Sequence, residues 1–238
     1  MSNFIKNLFR RYGFELLRYN PHNSHHCATR AMLKYLKIDL VFDVGANVGQ
    51  FGGDLFASGF KGRIVSFEPI ANAHAKLTRR AKANPNWLVY PRSAVGATMG
   101  QISINVSENT VSSSALPMLK LHNEVAPKSK YISTEDVPLV RLDDIVEQYY
   151  GSQNGILLKV DTQGFEWEVL DGARSLLGKV SAVQLELALM PLYQGQHPWR
   201  DYVDRLESEG FHLHFAYPAF TNPVNGQTLQ WDAMFVRQ

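Results

Sequence analysis

Five positions in the first third of the chain have the residue types to hold a nucleotide-like ligand. Asp43, Gly45, Asn47 and Gly49 fall in VFDVGANVGQ, residues 41–50, an apolar run stopped by a glycine-rich turn, and Glu68 follows in SFEP. A turn of this kind after a first strand brings backbone up to a ligand, and an acid ending the second strand accepts hydrogen bonds from ribose hydroxyls. The pyrophosphate fingerprint prefers G-x-G-x-x-G, with a helix N-terminus facing the negative charge. Here Asn47 stands where a bare glycine is preferred, and the Asp43 carboxylate would repel phosphate. The same carboxylate favours an ammonium or sulfonium group, directly or through water, and S-adenosylmethionine carries both cations. NAD stays open, because Glu68 would serve its ribose equally; the phosphate loop G-x-x-x-x-G-K-[ST] has no match.

A second set of residues could do chemistry. Asp161 closes GILLKVDTQG at 155–164, and Glu186 lies within SAVQLELAL at 181–189. In a parallel sheet these two acids end neighbouring strands. One could act as a general base, or both could hold a hard cation such as magnesium. His197, in the loop YQGQHPW, is a third candidate base, since imidazole is neutral near pH 7; a lone loop histidine is more often structural. Glu166 and Glu168 point in different directions on their helix, and Glu166 is near enough to Asp161 to support it. First-turn acids also favour the helix dipole. His212 and His214 share one face of a strand, as metal ligands or as residues of an exposed edge. HNSHHCATR at 22–30 gathers three histidines and the only cysteine, Cys27, without a standard ligand spacing.

The elements that must position these residues alternate between apolar strands and helices of about a dozen residues, the pattern of a parallel α/β sheet. LVFDVGAN, GRIVSFEP, GILLKVDTQG and SAVQLELAL read as buried strands, and NWLVYPRSAVG at 86–96 reads as another. GQISINVSE at 100–108 alternates as a half-exposed strand does. VPLVRLDDIVEQYY gives a short strand and a helix, and FEWEVLDGARSLLGKV one further helix. PWRDYVDRLESEG is a helix with proline at its start and glycine at its end. FHLHFAYP and LQWDAMFVRQ, joined by a turn region, pair antiparallel. Residues 109–136 carry serines, prolines and lysines without periodicity, which makes them a candidate substrate-facing lid.

The whole chain of 238 residues is 45% hydrophobic and 19% charged, enough to bury a core. A formal charge of +2 is too small for a dedicated nucleic-acid binder. A single cysteine makes no internal disulfide and suits a reducing, cytoplasmic setting. The N-terminal stretch mixes Lys6, Arg10, Arg11 and Arg18 with Phe4, Ile5, Leu8, Phe9, Leu16 and Leu17, and has no signal-peptide or spanning run. Such a helix commonly packs on its own domain, and could also lie on the inner face of a membrane.

VFDVGANVGQ, SFEP, SAVG, RLDDIV, LLKVDTQGFEWEVLDGA and WDAMFVR occur in that order, and through them residues 40–238 resemble the FkbM family of S-adenosylmethionine-dependent methyltransferases. The resemblance implies a Rossmann-like, seven-stranded class I methyltransferase sheet, mostly parallel with an antiparallel last strand, preceded here by a helical extension at 1–39. It implies O-methylation, often of a sugar hydroxyl in a glycan, glycolipid or natural product. Asp43, Gly45, Asn47, Gly49, Glu68 and Pro69 would hold the cofactor, with Ser93 and Ala94, in the stretch from Arg92 to Val95, flanking its adenine. The family commonly reads D-x-E-G after its fourth strand; this chain has Asp161, Thr162, Gln163 and Gly164. An NAD-linked oxidoreductase and a non-catalytic partner in glycan synthesis are the alternatives. Trp199, Tyr193 and Tyr217 are compatible with stacking on a sugar or with the core.

Overall fold

The computed structural model of the protein describes residues 3–151 and 155–237. Met1 and Ser2 of the extension, Gln238 of the domain and residues 152–154 lie outside the described residues. The chain divides into two compact units, Met1–Leu36 and Lys37–Gln238.

The first unit holds two helices, α1 (Asn3–Arg11) and α2 (His25–Tyr35). Gly13 takes a left-handed φ of 79° just past α1, and the Phe14 N–H reaches back to the Phe9 carbonyl, which closes the helix. Ser24 caps α2, its Oγ accepting from the Cys27 N–H.

The second unit begins with β1 (Ile38–Val44), α3 (Gln50–Ala57), β2 (Arg63–Phe67), α4 (Ala71–Ala81) and β3 (Trp87–Val89). It continues with β4 (Ala94–Val95), β5 (Gly100–Ser107), α5 (Lys120–Val125), β6 (Tyr131–Val140) and α6 (Leu142–Ile145). β7 (Gly155–Val160), α7 (Glu166–Asp171), α8 (Arg174–Leu177), β8 (Ala182–Ala188), α9 (Trp199–Ser208), β9 (Phe211–Thr221) and β10 (Thr228–Arg237) complete it. Seven strands form one sheet in the order β3-β2-β1-β7-β8-β10-β9, parallel except for β10, which runs antiparallel to both neighbours. This is the Rossmann-like sheet that the resemblance implies.

Both faces of the central strands are covered, which is why they read as continuous apolar runs. Alternate side chains go to opposite faces. On one face Leu40, Phe42, Val44, Val65, Phe67, Leu158 and Val160 join Val169, Leu170, Leu176, Tyr202 and Leu206 from α7, α8 and α9 in the main core. The opposite face takes Val41, Asp43, Ile64, Ser66, Leu157 and Lys159. There Lys159 Nζ lies 5.7 Å from the centre of the Phe51 ring of α3.

The structure corrects three sequence readings. NWLVYPRSAVG is two strands: Pro91, which has no N–H to donate, separates β3 from β4, and β4 joins a second sheet ordered β4-β6-β5. Part of the expected loop at 109–136 is strand, because β6 begins at Tyr131 and pairs antiparallel with β5. Ser133 to Glu135 is polar since the ribbon is solvated there; only nearer its base do Val137 and Leu139 pack with Ile104, Val106 and Ala94. The single helix expected at 165–180 is broken into α7 and α8 at Gly172. A Cβ on Gly172 would lie 2.0 Å from the Gly96 carbonyl oxygen, so the backbone of the chain entering the second sheet passes directly against this break.

Candidate functional site

Connectivity reverses direction between β1 and β7, and ligands of open α/β sheets bind at the carboxyl ends of strands at such a point. A polar row crosses the sheet just below that edge. Asp43 is in register with Ser66 of β2 and with Lys159 of β7, so all three side chains share a face. The Trp87 Nε1–H donates to Ser66 Oγ (3.0 Å), Ser66 Oγ donates to Asp43 Oδ2 (3.1 Å), and Lys159 Nζ stands 3.4 Å from Asp43 Oδ1. Asp43 has no exposed surface, and its Oδ1 accepts no hydrogen bond among the described residues. It therefore faces a ligand through Lys159 rather than directly. Burial pushes the Asp43 pKa up, opposed by Lys159 and Ser66. Burial disfavours the Lys159 charge, but Asp161, Asp43 and Asp232 around it hold its pKa above the ordinary lysine range.

The turn after β1 is built on alternating left-handed residues: Gly45 (φ 75°), Asn47 (φ 48°) and Gly49 (φ 84°). Gly45 is required by packing as well, since a Cβ there would lie 1.8 Å from the Asp161 carbonyl oxygen. Asn47 tolerates the left-handed region because its Oδ1 accepts from the Val48 N–H (2.8 Å). The Asn47 N–H in turn donates to Glu68 Oε2 (2.8 Å), and Glu68 Oε1 accepts from the Ile70 N–H (2.8 Å). Glu68 thus ties the turn after β1 to the loop after β2. Burial raises its pKa to about 7 against these two backbone donors and Lys159. A carboxylate has about four lone-pair sites, so Glu68 keeps acceptor capacity for ribose hydroxyls.

Pro69 offers its carbonyl to Arg92 Nη1 (3.3 Å), which also pairs with Glu135 (2.8 Å). Ser93 and Ala94 are buried: Ser93 Oγ donates to the Pro91 carbonyl, and Ala94 packs with Ile70 and Ala73. Only their backbone could meet an adenine.

The catalytic candidates divide. Asp161 follows β7, and its N–H donates to the Val44 carbonyl of β1. Gln163 Nε2 donates to both Asp161 Oδ1 (2.8 Å) and Glu186 Oε2 (2.6 Å), bringing the two acids into one network. Gln230 Nε2 adds a second donor to Glu186 Oε2 (2.7 Å), and Asp232 lies opposite Glu186 in register on β10. Burial first, then Asp161, Asp232 and Glu166, push the Glu186 pKa well above the carboxylate range. Burial and Asp161 push Asp232 up to about 6, opposed by Lys159. Asp161 keeps about a third of its side chain exposed, beside Lys159 Nζ at 3.5 Å.

His197 stands apart from this network. Its ring stacks on Trp167 with centroids 4.1 Å apart, and Nδ1 lies 3.4 Å from Asp201. With Trp199, Gln196 and Arg200 it lines a pocket beyond the carboxyl end of β8. Among the described residues no group of three His, Cys, Asp or Glu side chains is placed to hold a metal, and His212 and His214 are both exposed on the edge strand β9. Tyr193 is core.

Residues outside the expected catalytic and cofactor-binding sets complete the site. Gln163 has φ 55°; the Tyr193 hydroxyl donates to its Oε1 (2.8 Å), and Ser114 Oγ donates to its carbonyl (2.6 Å). Glu166 closes the turn, its carboxylate accepting from Thr162 N–H (2.9 Å) and Gly164 N–H (3.1 Å), and burial lifts its pKa to about 7. The 109–119 segment touches both halves of the edge: Thr110 Oγ1 accepts from Asn47 Nδ2 (3.4 Å), while Ser112 and Ser114 meet Tyr193 and Gln163. A lysine within the apolar run ILLKVD, two residues before Asp161 and so on its face, is the signal that marks Lys159. Asp232 is an acid inside the apolar run WDAMFV.

The edge carries Asp43, Glu68, Asp161, Glu186 and Asp232 around a single lysine, a donor set that fits a ligand with cationic groups and an adenosine ribose, and fits a pyrophosphate poorly. Comparison with known proteins agrees with this chemistry. The model of the methyltransferase FkbM domain matches residues 43–213. "Methyltransferase sdnD" of Sordaria araneosa is 28% identical over 153 residues, 56% of this chain and 59% of that protein. "Hexuronic acid methyltransferase AglP" of Haloferax volcanii is 26% identical over 149 residues, 63% of this chain and 56% of that protein. The chain thus spans under two thirds of the length of these relatives. A crystal structure of a methyltransferase FkbM from Methylobacillus flagellatus aligns with 93% of this chain and 45% of that one, at 14% identity and a TM-score of 0.49, a likeness from which nothing further follows.

Proposed function

Since the chain belongs to the methyltransferase FkbM domain family, we propose that it is an S-adenosylmethionine-dependent O-methyltransferase acting on a sugar hydroxyl of a glycan, glycolipid or natural product. The observation that carries this reading is the acidic edge at the switch point, with one half-open carboxylate oriented by a neutral amide. When bound, S-adenosylmethionine supplies a methyl group made electrophilic by its sulfonium. Glu68 would accept from the ribose hydroxyls, and the turn from Gly45 to Gly49 would shape the floor beneath them.

A sugar hydroxyl is a poor nucleophile until its proton is taken. Asp161 would take that proton: about a third of its side chain is exposed, Lys159 Nζ lies 3.5 Å from one of its oxygens, and the Gln163 amide donates to the other. Glu186, whose pKa is raised, holds its proton more readily and serves better as a hydrogen-bonding partner. A magnesium ion between Asp161 and Glu186 would have to displace the Gln163 amide that already donates to both. A hexuronic acid appears in the name of the Haloferax relative, which makes sugar acids and their neutral counterparts the first acceptors to compare. The same reading places the protein in a reducing compartment such as the cytoplasm, with which its single free cysteine accords.

The test is calorimetric titration with S-adenosylhomocysteine, S-adenosylmethionine and NAD, on the wild type and on Glu68→Ala. We expect micromolar binding of the two adenosyl ligands alone, weakened at least about tenfold in the variant, the equivalent of one lost charge-assisted hydrogen bond. Binding of NAD in their place, or of none of the three, overturns the proposal.

A further inference from the structure

The first unit concentrates the positive charge of the chain. Residues 1–36 hold six of the 24 Lys and Arg but one of the 22 Asp and Glu, so the remainder of the chain is net acidic. Within α1 the apolar residues Phe4, Ile5, Leu8 and Phe9 fall on one side of the helix and Lys6 and Arg10 on the other, Arg11 borders the stripe beside Phe4 and Leu8, and the first turn has no acid. After the Gly13 stop the pattern goes on with Phe14, Leu17 and Arg18. Within the first unit itself this stripe is not covered: Phe4 is 77% exposed, Tyr12 75%, Tyr19 69% and Phe14 63%, and Ile5, Leu8, Phe9 and Leu17 are exposed with them. A helix of nine residues is too short to persist on its own in water. Its stability calls for an apolar surface.

We infer that this segment binds the surface of an anionic lipid bilayer, with α1 in the interfacial plane. Three observations choose a membrane over a protein groove. The exposed stripe is rich in aromatic rings, which favour the headgroup boundary. The cations flank that stripe along the whole segment, as charge complementarity to anionic lipid requires, and the only acid, Glu15, is paired to Arg10 at 2.5 Å. Lastly, insertion of one short apolar stripe is weak unless electrostatic attraction adds to it, and both signals are present. Among the described residues no helix is long and apolar enough to cross a membrane, so the contact is peripheral. This inference is independent of the reaction assigned above.

The experiment is flotation of the full chain with phosphatidylcholine vesicles, with and without phosphatidylglycerol, for the wild type, Phe4→Ser/Phe9→Ser and Lys6→Gln/Arg11→Gln. We expect partition onto the anionic vesicles only, reduced about tenfold or more by each double variant and by raising salt well above 0.1 M. S-adenosylhomocysteine affinity and the far-ultraviolet circular dichroism of the rest of the chain should not change, which separates loss of the surface from loss of the fold. Absence of wild-type binding to anionic vesicles overturns the inference, as does binding that survives both double variants. So does lipid-free self-association, seen by light scattering and abolished by Phe4→Ser/Phe9→Ser, which would make a second copy the occupant.

Discussion

Gln163 decides how the two acids at the edge behave. Its amide nitrogen donates to both Asp161 and Glu186, and its oxygen accepts from the Tyr193 hydroxyl. The acid that the family commonly has at this place could accept from Tyr193 but could not donate, unprotonated, to two carboxylates. Gln163→Glu therefore sets three carboxyl groups against one another in a half-buried place. We expect the variant to melt near the wild type at about pH 5, where its new carboxyl is protonated, and to fall behind by roughly 2 kcal/mol at about pH 8. Equal melting curves for the two proteins at the higher pH would show that this network is not held as described. A separate loss is expected in Gln163→Ala, which leaves the buried Tyr193 hydroxyl only the Ser112 carbonyl at 3.4 Å in place of its 2.8 Å acceptor, at a cost of roughly 1 kcal/mol, measurable by urea unfolding.

At the scale of elements, the close approach of two backbones fixes both the turn after β1 and the break between α7 and α8. Gly45→Ala would force a Cβ into the Asp161 carbonyl while keeping a left-handed backbone, and Gly172→Ala, at an ordinary φ of −80°, would force one into the Gly96 carbonyl. Each is expected to cost at least about 3 kcal/mol in urea unfolding. Gly195→Ala, left-handed but with nothing within 4 Å of its Cβ, is expected to cost only about 1 kcal/mol. The sequence made the strands legible because strands buried on both faces are continuous apolar runs. It also placed Glu68 and Asp161 at strand ends, where the structure has them just past β2 and β7, and Asp43 one residue short of the end of β1; Glu186, expected to end its strand, lies within β8 with Leu187 and Ala188 beyond it. It hid what depends on the neighbour: Lys159 reads as an oddity until β1 brings Asp43 into register, and Asp232 has no meaning until β10 is inserted beside β8. The solvated ribbon at 131–136 was illegible for another reason, since a strand with two wet faces carries no apolar alternation.

The molecule as a whole gathers its buried acids at one edge, and this sets its response to pH. Glu68 and Glu166 rise from 4.5 to about 7 on folding, and Asp232 from 3.8 to about 6. Between those limits the native state keeps protons that the unfolded chain has released, so this contribution is full below the unfolded values and is lost as pH climbs towards 7. Thermal stability should decline between about pH 5 and about pH 8, and Glu166→Gln should flatten that decline by up to roughly 3 kcal/mol. A profile with the same slope in wild type and variant would contradict the assignment. The row from Trp87 through Ser66 to Asp43 has a further consequence. The indole ring also presses on Gly49 and Gly52, at the floor of the proposed cofactor site, so it touches both the turn and the charges beneath it. Indole emission responds to nearby charge and to displacement of its surroundings. With Trp167, Trp199 and Trp231 replaced by phenylalanine, the fluorescence of Trp87 alone would follow ligand arrival in real time, without a label and without knowledge of the methyl acceptor.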